Sequence, residues 1–394
     1  MRISDWSSDV CSSDLMSQKS SEMKAQGVDV INMSVGEPDF MTPEPIKEAG
    51  KKAIDDNFSK YSPVPGYPAL RNAISKKLKA ENGLDYAASE IIVGTGGKQG
   101  VCNAIMALVN PGDEVIIPAP YWVSYPQMVK LAGGNPVIIS AGIEQDFKIT
   151  ADQLEASITP KTKMIILCSP SNPTGSVYTK AELDELAKVV ISHEDVFVLS
   201  DEIYEHINYI GKHASIAACP NMKERTIICN GVSKAYAMTG WRLGWVAAPE
   251  WIVKGLNKLQ GQYTSGTSSV SQMAALAAYE GNQQCVEDFR KTFQRRRDLI
   301  VNLAKGIPGL EVNIPQGAFY LFPKCSSFFG KSNGKYTINN STDLAMYLLE
   351  EGHVATVGGD DFGSPDCFRM SYATSDDNIK EALQRIKDAL SKLK

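Results

Sequence analysis

The sequence contains little of what several common protein classes require. Only four of its 394 residues are histidine, and none belongs to an HExxH pattern or to a cluster with cysteine, so we expect no zinc or other metal site. The eight cysteines form no CxxC pair and are scattered along the chain, which is typical of a protein of the reducing cytoplasm rather than of a disulfide framework. No uncharged apolar run approaches the ~20 residues of a membrane-spanning helix.

An excess of positive charge is also absent. Forty basic and 45 acidic residues give a net charge of −5, which argues against a nucleic-acid or anionic membrane surface as the main partner. The hydrophobic fraction of 43% and the charged fraction of 22% are ordinary for a globular protein and exclude a disordered chain. At ~100–200 residues per domain, the length predicts two or three domains.

The first fifteen residues differ in character from the rest. Met1–Leu15 is rich in Ser and Asp, contains the near-duplicate SSDV and SSDL, and has no apolar region or cleavage site of a signal peptide. It resembles translated sequencing-adaptor read-through. We therefore interpret residues 1–15 as a non-native prefix, with residues 16–40 as an N-terminal segment that joins the smaller of two domains.

Short apolar runs alternate with helical patterns from about residue 90. Most of these runs are continuous Val, Ile and Leu, as expected of strands that are buried on both faces. The predicted strands are Ile91–Gly94, Glu114–Ile117, Pro136–Ile139, Lys163–Leu167, Val196–Leu199, Thr226–Cys229 and Leu243–Ala247. Capping boxes beginning at Thr150 and Thr179 mark helix starts between them. Residues 41–290 are thus predicted to form a large α/β domain with a mostly parallel central sheet and helices on both faces.

The sequence pattern changes after about residue 280. Gln283–Lys305 is predicted to form one long charged helix, and a second amphipathic helix follows the cap candidate Ser375. Phe328–Asn340 is rich in Gly, Ser, Asn and Lys, which predicts an exposed loop. Short strands are predicted at Leu310–Asn313, Ala318–Phe322 and Cys367–Tyr372. These features predict a small α+β domain over residues 291–394.

A glycine cluster at Gly94–Gly100 invites a nucleotide-binding interpretation that the spacing rejects. A GxGxxG motif would need glycine at Gln99, and a Walker loop ending in Lys98 would need glycine at Ile92. The cluster still follows a predicted strand and opens a predicted helix, where bare backbone amides can bind a phosphate. A tight strand-to-helix turn without a ligand explains the same glycines, and both interpretations stay open.

Polar segments follow several of the predicted strands. In doubly wound sheets, ligands bind outside the carboxyl ends of the strands, so these segments are predicted to meet at one site. They are Ser169–Gly175, Ser200–Tyr204, Gly231–Ala235 and, entering the next strand, Thr239–Arg242.

These and other segments together resemble one protein family. They are GEPDF at Gly36, KYSPVPG at Lys60, VGTGGKQ at Val93, PYWVSYP at Pro120, SPSNPTG at Ser169, SDEIYEHI at Ser200, VSKAYAMTGWRLG at Val232 and FRMSYATS at Phe368. From about Asp29 to its C-terminus, the chain resembles a fold-type I, pyridoxal-phosphate-dependent aminotransferase of class I/II, in the bacterial Iβ branch of the aspartate aminotransferase family. The resemblance implies pyridoxal 5'-phosphate as cofactor and a homodimer with shared active sites.

The resemblance implies catalytic roles for three residues. Lys234 would hold the cofactor's aldehyde as a Schiff base and then move the substrate's proton. Asp201 would keep the pyridine nitrogen protonated, so that the ring accepts electrons. Tyr204 would hydrogen-bond the ring's phenolate oxygen together with Asn172. The alternatives are a surface lysine for Lys234 and a helix N-cap for Asp201, and Asn172 could equally be a turn residue.

Further positions would hold the cofactor or the substrate. Trp122 would stack on the ring, and the phosphate would bind Gly96, Gly97, Ser233 and Arg242, with Tyr61 reaching the phosphate of the neighbouring subunit. Arg369 would bind the substrate's α-carboxylate, beside Gly36, Trp122 and Asn172. Lys98, which follows the phosphate-binding glycines, would contact the distal carboxylate of a dicarboxylic substrate.

The resemblance implies a ping-pong aminotransferase. We expect it to move an amino group from an L-amino acid to 2-oxoglutarate, with aspartate as donor and aromatic or prephenate-type partners as further substrates. A β- or γ-lyase of the same fold and a non-catalytic homologue that only binds the cofactor remain alternatives. Formation of pyruvate and ammonia without any 2-oxo acid would distinguish the lyase.

Overall fold

A computed structural model describes residues 12–394 of the chain, so most of the expected prefix Met1–Leu15 lies outside the described residues. The helices are α1 Ser12–Ala25, α2 Glu44–Asp55, α3 Pro68–Lys77, α4 Gly97–Leu108, α5 Ser124–Leu131, α6 Ala151–Glu155, α7 Lys180–Ser192, α8 Glu250–Tyr263, α9 Ser269–Glu280, α10 Gln284–Lys305, α11 Ser341–Gly352 and α12 Asp376–Ser391. The strands are β1 Ile31–Asn32, β2 Ile91–Gly94, β3 Glu114–Ala119, β4 Asn135–Ser140, β5 Thr162–Cys168, β6 Phe197–Asp201, β7 Thr226–Gly231, β8 Gly244–Ala247, β9 Tyr320–Leu321, β10 Val354–Ala355, β11 Val357–Gly358 and β12 Phe368–Ser371.

A seven-stranded sheet forms the centre of the molecule. Its strand order is β2-β8-β7-β6-β5-β3-β4, and every neighbouring pair is parallel except the two that involve β8. All seven predicted strands are confirmed at nearly their predicted bounds, as is the mostly parallel fold-type I architecture.

Helices cover both faces of this sheet because its strands are apolar on both sides. Alternate residues of β2 show the arrangement: Ile91 and Val93 pack into one hydrophobic cluster with α3 and α9, whereas Ile92 packs into another with α4 and α8. Each of these strand residues is at least nine-tenths buried. The alternation follows from the two-residue period of a strand.

The predicted helix starts are confirmed by their caps. The side-chain oxygens of Thr150 and Thr179 accept the amides of Gln153 and Glu182, closing the two capping boxes. Ser375 caps α12 by accepting the amide of Asn378.

The C-terminal part carries a second, antiparallel sheet in the order β11-β12-β9, and β1 pairs in parallel with β10. The strand predicted at Leu310–Asn313 is wrong, since only Glu311 pairs, as an isolated bridge to Lys324. The pairing cannot extend because the chain turns into a 3₁₀ helix at Ser326–Phe328, just after Lys324. The segment Phe328–Asn340, predicted as an exposed loop, begins at the last residue of this 3₁₀ helix and contains no further helix. Its Phe328 and Ile338 are buried rather than exposed.

The helix α10 bridges the two parts of the chain. It runs without interruption across the predicted domain boundary at residues 290 and 291, so the division into residues 16–40, 41–290 and 291–394 stays a prediction. None of the helices between residues 12 and 394 combines the length and the apolar character that crossing a membrane requires.

Candidate active site

A cavity of about 450 Å³ opens at the carboxyl ends of β5, β6 and β7. The predicted site residues that line it are Gly36, Gly97, Lys98, Trp122, Asn172, Asp201, Tyr204, Ser233, Lys234, Arg242 and Arg369. Gly96 lies behind the lining, against Arg242, and Tyr61 does not line the cavity and is 99% exposed. The fold therefore brings together residues that lie more than 300 positions apart in the chain.

Lys234 follows β7 and projects into the cavity, where its Nζ donates a 2.6 Å hydrogen bond to the carbonyl oxygen of Gly36. Burial lowers the pKa of Lys234 to about 8, against an opposing contribution from the nearby Glu37. A pKa near neutrality leaves part of the population as the free amine, which is the form that attacks a carbonyl or accepts a proton. The alternative of an ordinary surface lysine does not fit this position.

Asp201 ends β6 and is buried. Its Oδ2 accepts a 2.7 Å hydrogen bond from the hydroxyl of Tyr125, and its Oδ1 accepts the amide of Ile203 at 3.3 Å. Burial raises the pKa of Asp201 to about 6, while these two hydrogen bonds oppose the rise. Asp201 is followed by a turn, so the N-cap alternative is wrong.

Arg369, on β12, is a buried guanidinium held by neutral acceptors. Its Nη1 donates to Oδ1 of Asn172 at 2.9 Å and its Nη2 to the carbonyl of Ser34 at 2.6 Å. Among the described residues no carboxylate lies within 4 Å of it, and its Nε has no hydrogen-bond partner. A buried cation without an anionic partner is suited to receive the carboxylate of a ligand.

The glycine cluster forms a cradle at the N-terminus of α4. Gly96 is the N-cap residue and has a φ of +80°, and a Cβ there would lie 2.7 Å from Nη2 of Arg242. A Cβ on Gly244 would lie 2.4 Å from the amide nitrogen of Gly97. The missing side chains leave helix-terminal amides, a guanidinium and the hydroxyl of Ser233 around one end of the cavity, which is a combination that can hold a phosphate.

Trp122 and Lys98 form the outer wall of the cavity. Nζ of Lys98 lies 4.9 Å from the centre of the Trp122 ring, and the Trp122 ring meets that of Tyr125 edge-on at 5.3 Å. Lys98 is exposed, and no carboxylate of the described chain lies within ion-pair distance of it. Trp122 is half-buried and lines the cavity.

Several lining residues have no role predicted from the sequence, and three of them make hydrogen bonds that bear on the site. Tyr125 hydrogen-bonds Asp201, the hydroxyl of Tyr320 shares a 2.7 Å hydrogen bond with that of Tyr204, and Glu37 accepts from the hydroxyl of Thr239 at 2.9 Å. A signal existed for Tyr125, which lies three residues after Trp122, one helical turn away. Glu37 lies inside the GEPDF segment that was noted for Gly36.

Comparisons with known proteins identify the family of the chain. Residues 28–386 match the family model of aminotransferase class I and II. The chain is 49% identical over 374 residues to the aspartate/prephenate aminotransferase of Cereibacter sphaeroides, covering 94% of each chain.

Solved structures show the same similarity. The aspartate aminotransferase of Rhizobium meliloti superposes with a TM-score of 0.93 at 45% identity, over 96% of both chains. The aspartate aminotransferase of Thermus thermophilus with maleate gives 0.91 at 39% identity, over 97% of both chains. The chain therefore belongs to the aminotransferase class I and II family, as an enzyme of the aspartate aminotransferase type.

Proposed function

We propose that this aminotransferase moves the amino group of aspartate to 2-oxoglutarate by a ping-pong mechanism, with aromatic or prephenate-type partners as further substrates. The observation that carries the proposal is one cavity that holds the perturbed amine of Lys234, the buried acid Asp201 and the unpaired guanidinium of Arg369. These groups match the three tasks of amino transfer: moving a proton, supporting an electron-accepting ring and binding a carboxylate.

The cavity's donor set fits pyridoxal 5'-phosphate, the cofactor of this family. The Gly96–Gly97 cradle with Ser233 and Arg242 would hold its phosphate, and a Cβ at position 96 would lie 2.7 Å from Nη2 of Arg242, one of the groups of this cradle. Asp201, buried with no cationic partner within 4 Å in the described chain, would pair with the ring nitrogen.

The remaining side chains complete the fit. Tyr204 and Asn172 would face the phenolate oxygen, Trp122 the ring face, and Lys234 the aldehyde. When bound, the cofactor supplies a ring that accepts electrons from the substrate's Cα.

The protein's own groups then perform the proton transfer. A pKa of about 8 lets Lys234 accept the Cα proton and release it again near neutral pH. The carbonyl of Gly36 holds Nζ of Lys234 in place. Arg369 would fix the substrate's α-carboxylate and so orient the substrate towards the amine.

Substrate choice is proposed to depend on Lys98. Its ammonium lies over Trp122 at the cavity wall without an acidic partner in the described chain, so it can meet the distal carboxylate of aspartate or 2-oxoglutarate. A relative named for aspartate and prephenate, and a neighbour solved with the dicarboxylate maleate, support this assignment.

We also propose a cytoplasmic homodimer with shared sites. The ring of Tyr61 is almost fully exposed and does not line the cavity of its own chain, which supports a role at the phosphate of a partner subunit. The seven cysteines from Cys102 to Cys367 are free thiols, which supports a reducing compartment.

The test is a substrate panel on the protein loaded with pyridoxal 5'-phosphate. kcat/KM is measured with 2-oxoglutarate for aspartate, phenylalanine, alanine and kynurenine, and with prephenate as acceptor. We expect a preference for aspartate and no turnover by Lys234→Ala, with Lys161→Ala, an exposed lysine, as the control. Full activity of Lys234→Ala would refute the assignment, pyruvate and ammonia without a 2-oxo acid would indicate a lyase, and bound cofactor without turnover a non-catalytic homologue.

A further inference from the structure

Tyr320 occupies a central position between the two recognition groups of the cavity. It lies on β9, is fully buried, and pairs with Ser371 of β12. Arg369 lies two residues from Ser371, on the same face of β12, and such diagonal neighbours are within reach of an aromatic and a long side chain. The guanidinium carbon of Arg369 accordingly lies 4.8 Å from the centre of the Tyr320 ring.

The hydroxyl of Tyr320 forms a hydrogen bond with the hydroxyl of Tyr204. The two hydroxyl oxygens are 2.7 Å apart, and both rings are buried. The backbone of Gly36 confines this hydroxyl, because a Cβ at Gly36 would lie 2.7 Å from it. Tyr320 therefore contacts Tyr204, which is proposed to face the cofactor, and Arg369, which is proposed to face the substrate, and its hydroxyl lies close to the backbone of Gly36.

The direction of the shared hydrogen bond follows from the charges nearby. A cation over the ring of Tyr320 withdraws charge from its hydroxyl and makes it the better donor, and Arg369 lowers the pKa of Tyr320 against the rise caused by burial. For Tyr204, burial and the neighbouring Tyr320 both raise the pKa, and the lowering by Arg369 is the smallest of the contributions. The geometry allows either hydroxyl to donate, and the guanidinium over the ring of Tyr320 favours Tyr320 as the donor, which would leave the proton of Tyr204 free for the cavity.

We propose that Tyr320 is a positioning residue of the transamination site: its hydroxyl donates to Tyr204, which directs the Tyr204 proton at the cofactor's phenolate oxygen, and its ring supports the guanidinium of Arg369. This inference rests on the proposed function. A donor chain of two hydroxyls polarises both bonds, so the Tyr204 proton binds a phenolate more strongly than an isolated tyrosine would. Loss of the Tyr320 hydroxyl should weaken that contact, whereas loss of its ring should weaken carboxylate binding.

The hydroxyl is tested with Tyr320→Phe, Tyr204→Phe and the double variant, loaded with pyridoxal 5'-phosphate. The readout is the pH midpoint at which the bound cofactor's absorbance changes, and it requires no turnover. We expect Tyr320→Phe to raise the midpoint by about 0.5–1 pH unit, the scale of one hydrogen bond, because a weaker donor stabilises the phenolate less. Tyr204→Phe should raise it further, and the double variant should match Tyr204→Phe.

The matched control is Tyr347→Phe, which removes an equally buried hydroxyl that donates to the carbonyl of Ala389, far from the cavity. Its midpoint should equal that of the wild type. A Tyr320→Phe midpoint equal to the control, or a shift that persists in the double variant, would overturn the hydroxyl's role.

The ring is tested through the affinity for maleate, an unreactive dicarboxylate. Tyr320→Phe keeps the ring and should bind maleate within about twofold of the wild type, whereas Tyr320→Leu should bind it about tenfold more weakly, the scale of a desolvated cation–π contact. Equal affinities of the Phe and Leu variants would overturn the ring's role. If the wild type bound no cofactor, the proposed function would fail and this role with it; a normal wild type with an unshifted Tyr320→Phe would remove only the positioning role.

Discussion

Tyr125 donates a 2.7 Å hydrogen bond to Oδ2 of Asp201, and both side chains are buried at the end of the central sheet. Burial raises the pKa of Tyr125 well above its ordinary value, and the adjacent carboxylate adds to the rise, so the hydroxyl keeps its proton and remains a donor. Burial of the Asp201 carboxylate costs free energy when the group is charged, and this cost raises its pKa to about 6.

The cost of burying Asp201 should appear in the pH dependence of stability. The native pKa of about 6 exceeds the unfolded value near 4, so the native state binds more protons between these pH values and stability falls as pH rises through this window. Asp201→Asn removes the charge. We expect the cofactor-free variant to be more stable than the wild type by about 3 kcal/mol at pH 7 and of nearly equal stability at pH 4.

Urea unfolding of the cofactor-free protein at both pH values measures this difference. Asp195→Asn, an exposed acid, serves as the control and should change stability little at either pH. A gain for Asp201→Asn that is the same at pH 4 and pH 7 would mean that its cause is not the buried charge.

Removing the Lys98 ammonium should affect only substrates with a second carboxylate. Lys98→Ala deletes a charged donor, and a hydrogen bond to a charged group contributes ~1.5–3 kcal/mol, so kcat/KM for aspartate should fall about 10- to 150-fold. kcat/KM for alanine, which has no distal carboxylate, should be unchanged. The ratio of the two kcat/KM values is the measurement, and an unchanged ratio would contradict the role of Lys98.

Arg369→Lys should lower kcat/KM for every amino acid substrate alike. The lysine keeps the charge but loses the planar fork that can hold two carboxylate oxygens, and its three donors are too few to bond Asn172, Ser34 and both oxygens of a carboxylate together. We expect kcat/KM to fall about 10- to 100-fold for both aspartate and alanine. A loss confined to aspartate would place Arg369 at the distal carboxylate instead.

Much of the site could be predicted because its residues follow buried strands. Lys234 and Asp201 come directly after continuous apolar runs, and the rule that parallel strands end at one edge was enough to bring them together. Tyr320 could not be found in this way. Its position depends on the pairing of β9 with β12, and the register of strands about 50 residues apart is set by tertiary packing, which local periodicity does not contain.

The contact between Lys234 and the carbonyl of Gly36 shows the same limit over a longer distance. The GEPDF segment is recognisable as a motif in the sequence. The motif alone does not predict that Glu37 lies close enough to Lys234 to oppose the lowering of the Lys234 pKa by burial. The strand predicted at Leu310–Asn313 is wrong for the converse reason. Its local pattern alternates as a strand does, but the partner segment at Lys324 is too short to form more than one bridge.

A buried ion pair lies on the other side of the segment that carries Asp201 and Tyr204. Nζ of Lys77 contacts Oε1 of Glu205, and both side chains are 4% exposed. Burial alone would raise the pKa of Glu205, but Lys77 and the two nearby histidines His206 and His213 hold it far below its ordinary value. Glu205 also accepts from Nδ2 of Asn82 at 2.9 Å.

Breaking this pair from one side should be costly. Lys77→Met leaves Glu205 as a buried charge without its main partner, which typically destabilises a protein by about 3–5 kcal/mol. Lys77→Met combined with Glu205→Leu removes both charges and should recover most of the loss. Because Glu205 can be neutralised by a proton in the single variant, the deficit should be largest above pH 7 and smaller near pH 4.

Urea unfolding at the two pH values measures the deficit, with Lys79→Met as the matched control. Lys79 lies two residues further along the chain and pairs with Asp85 at the surface, where an ion pair contributes about 0–1 kcal/mol. Equal losses for Lys77→Met and Lys79→Met, or a double variant no more stable than Lys77→Met, would show that the buried charge of Glu205 does not depend on Lys77. The recovery in the double variant matters most, because a packing defect at position 77 would persist there whereas an uncompensated charge would not.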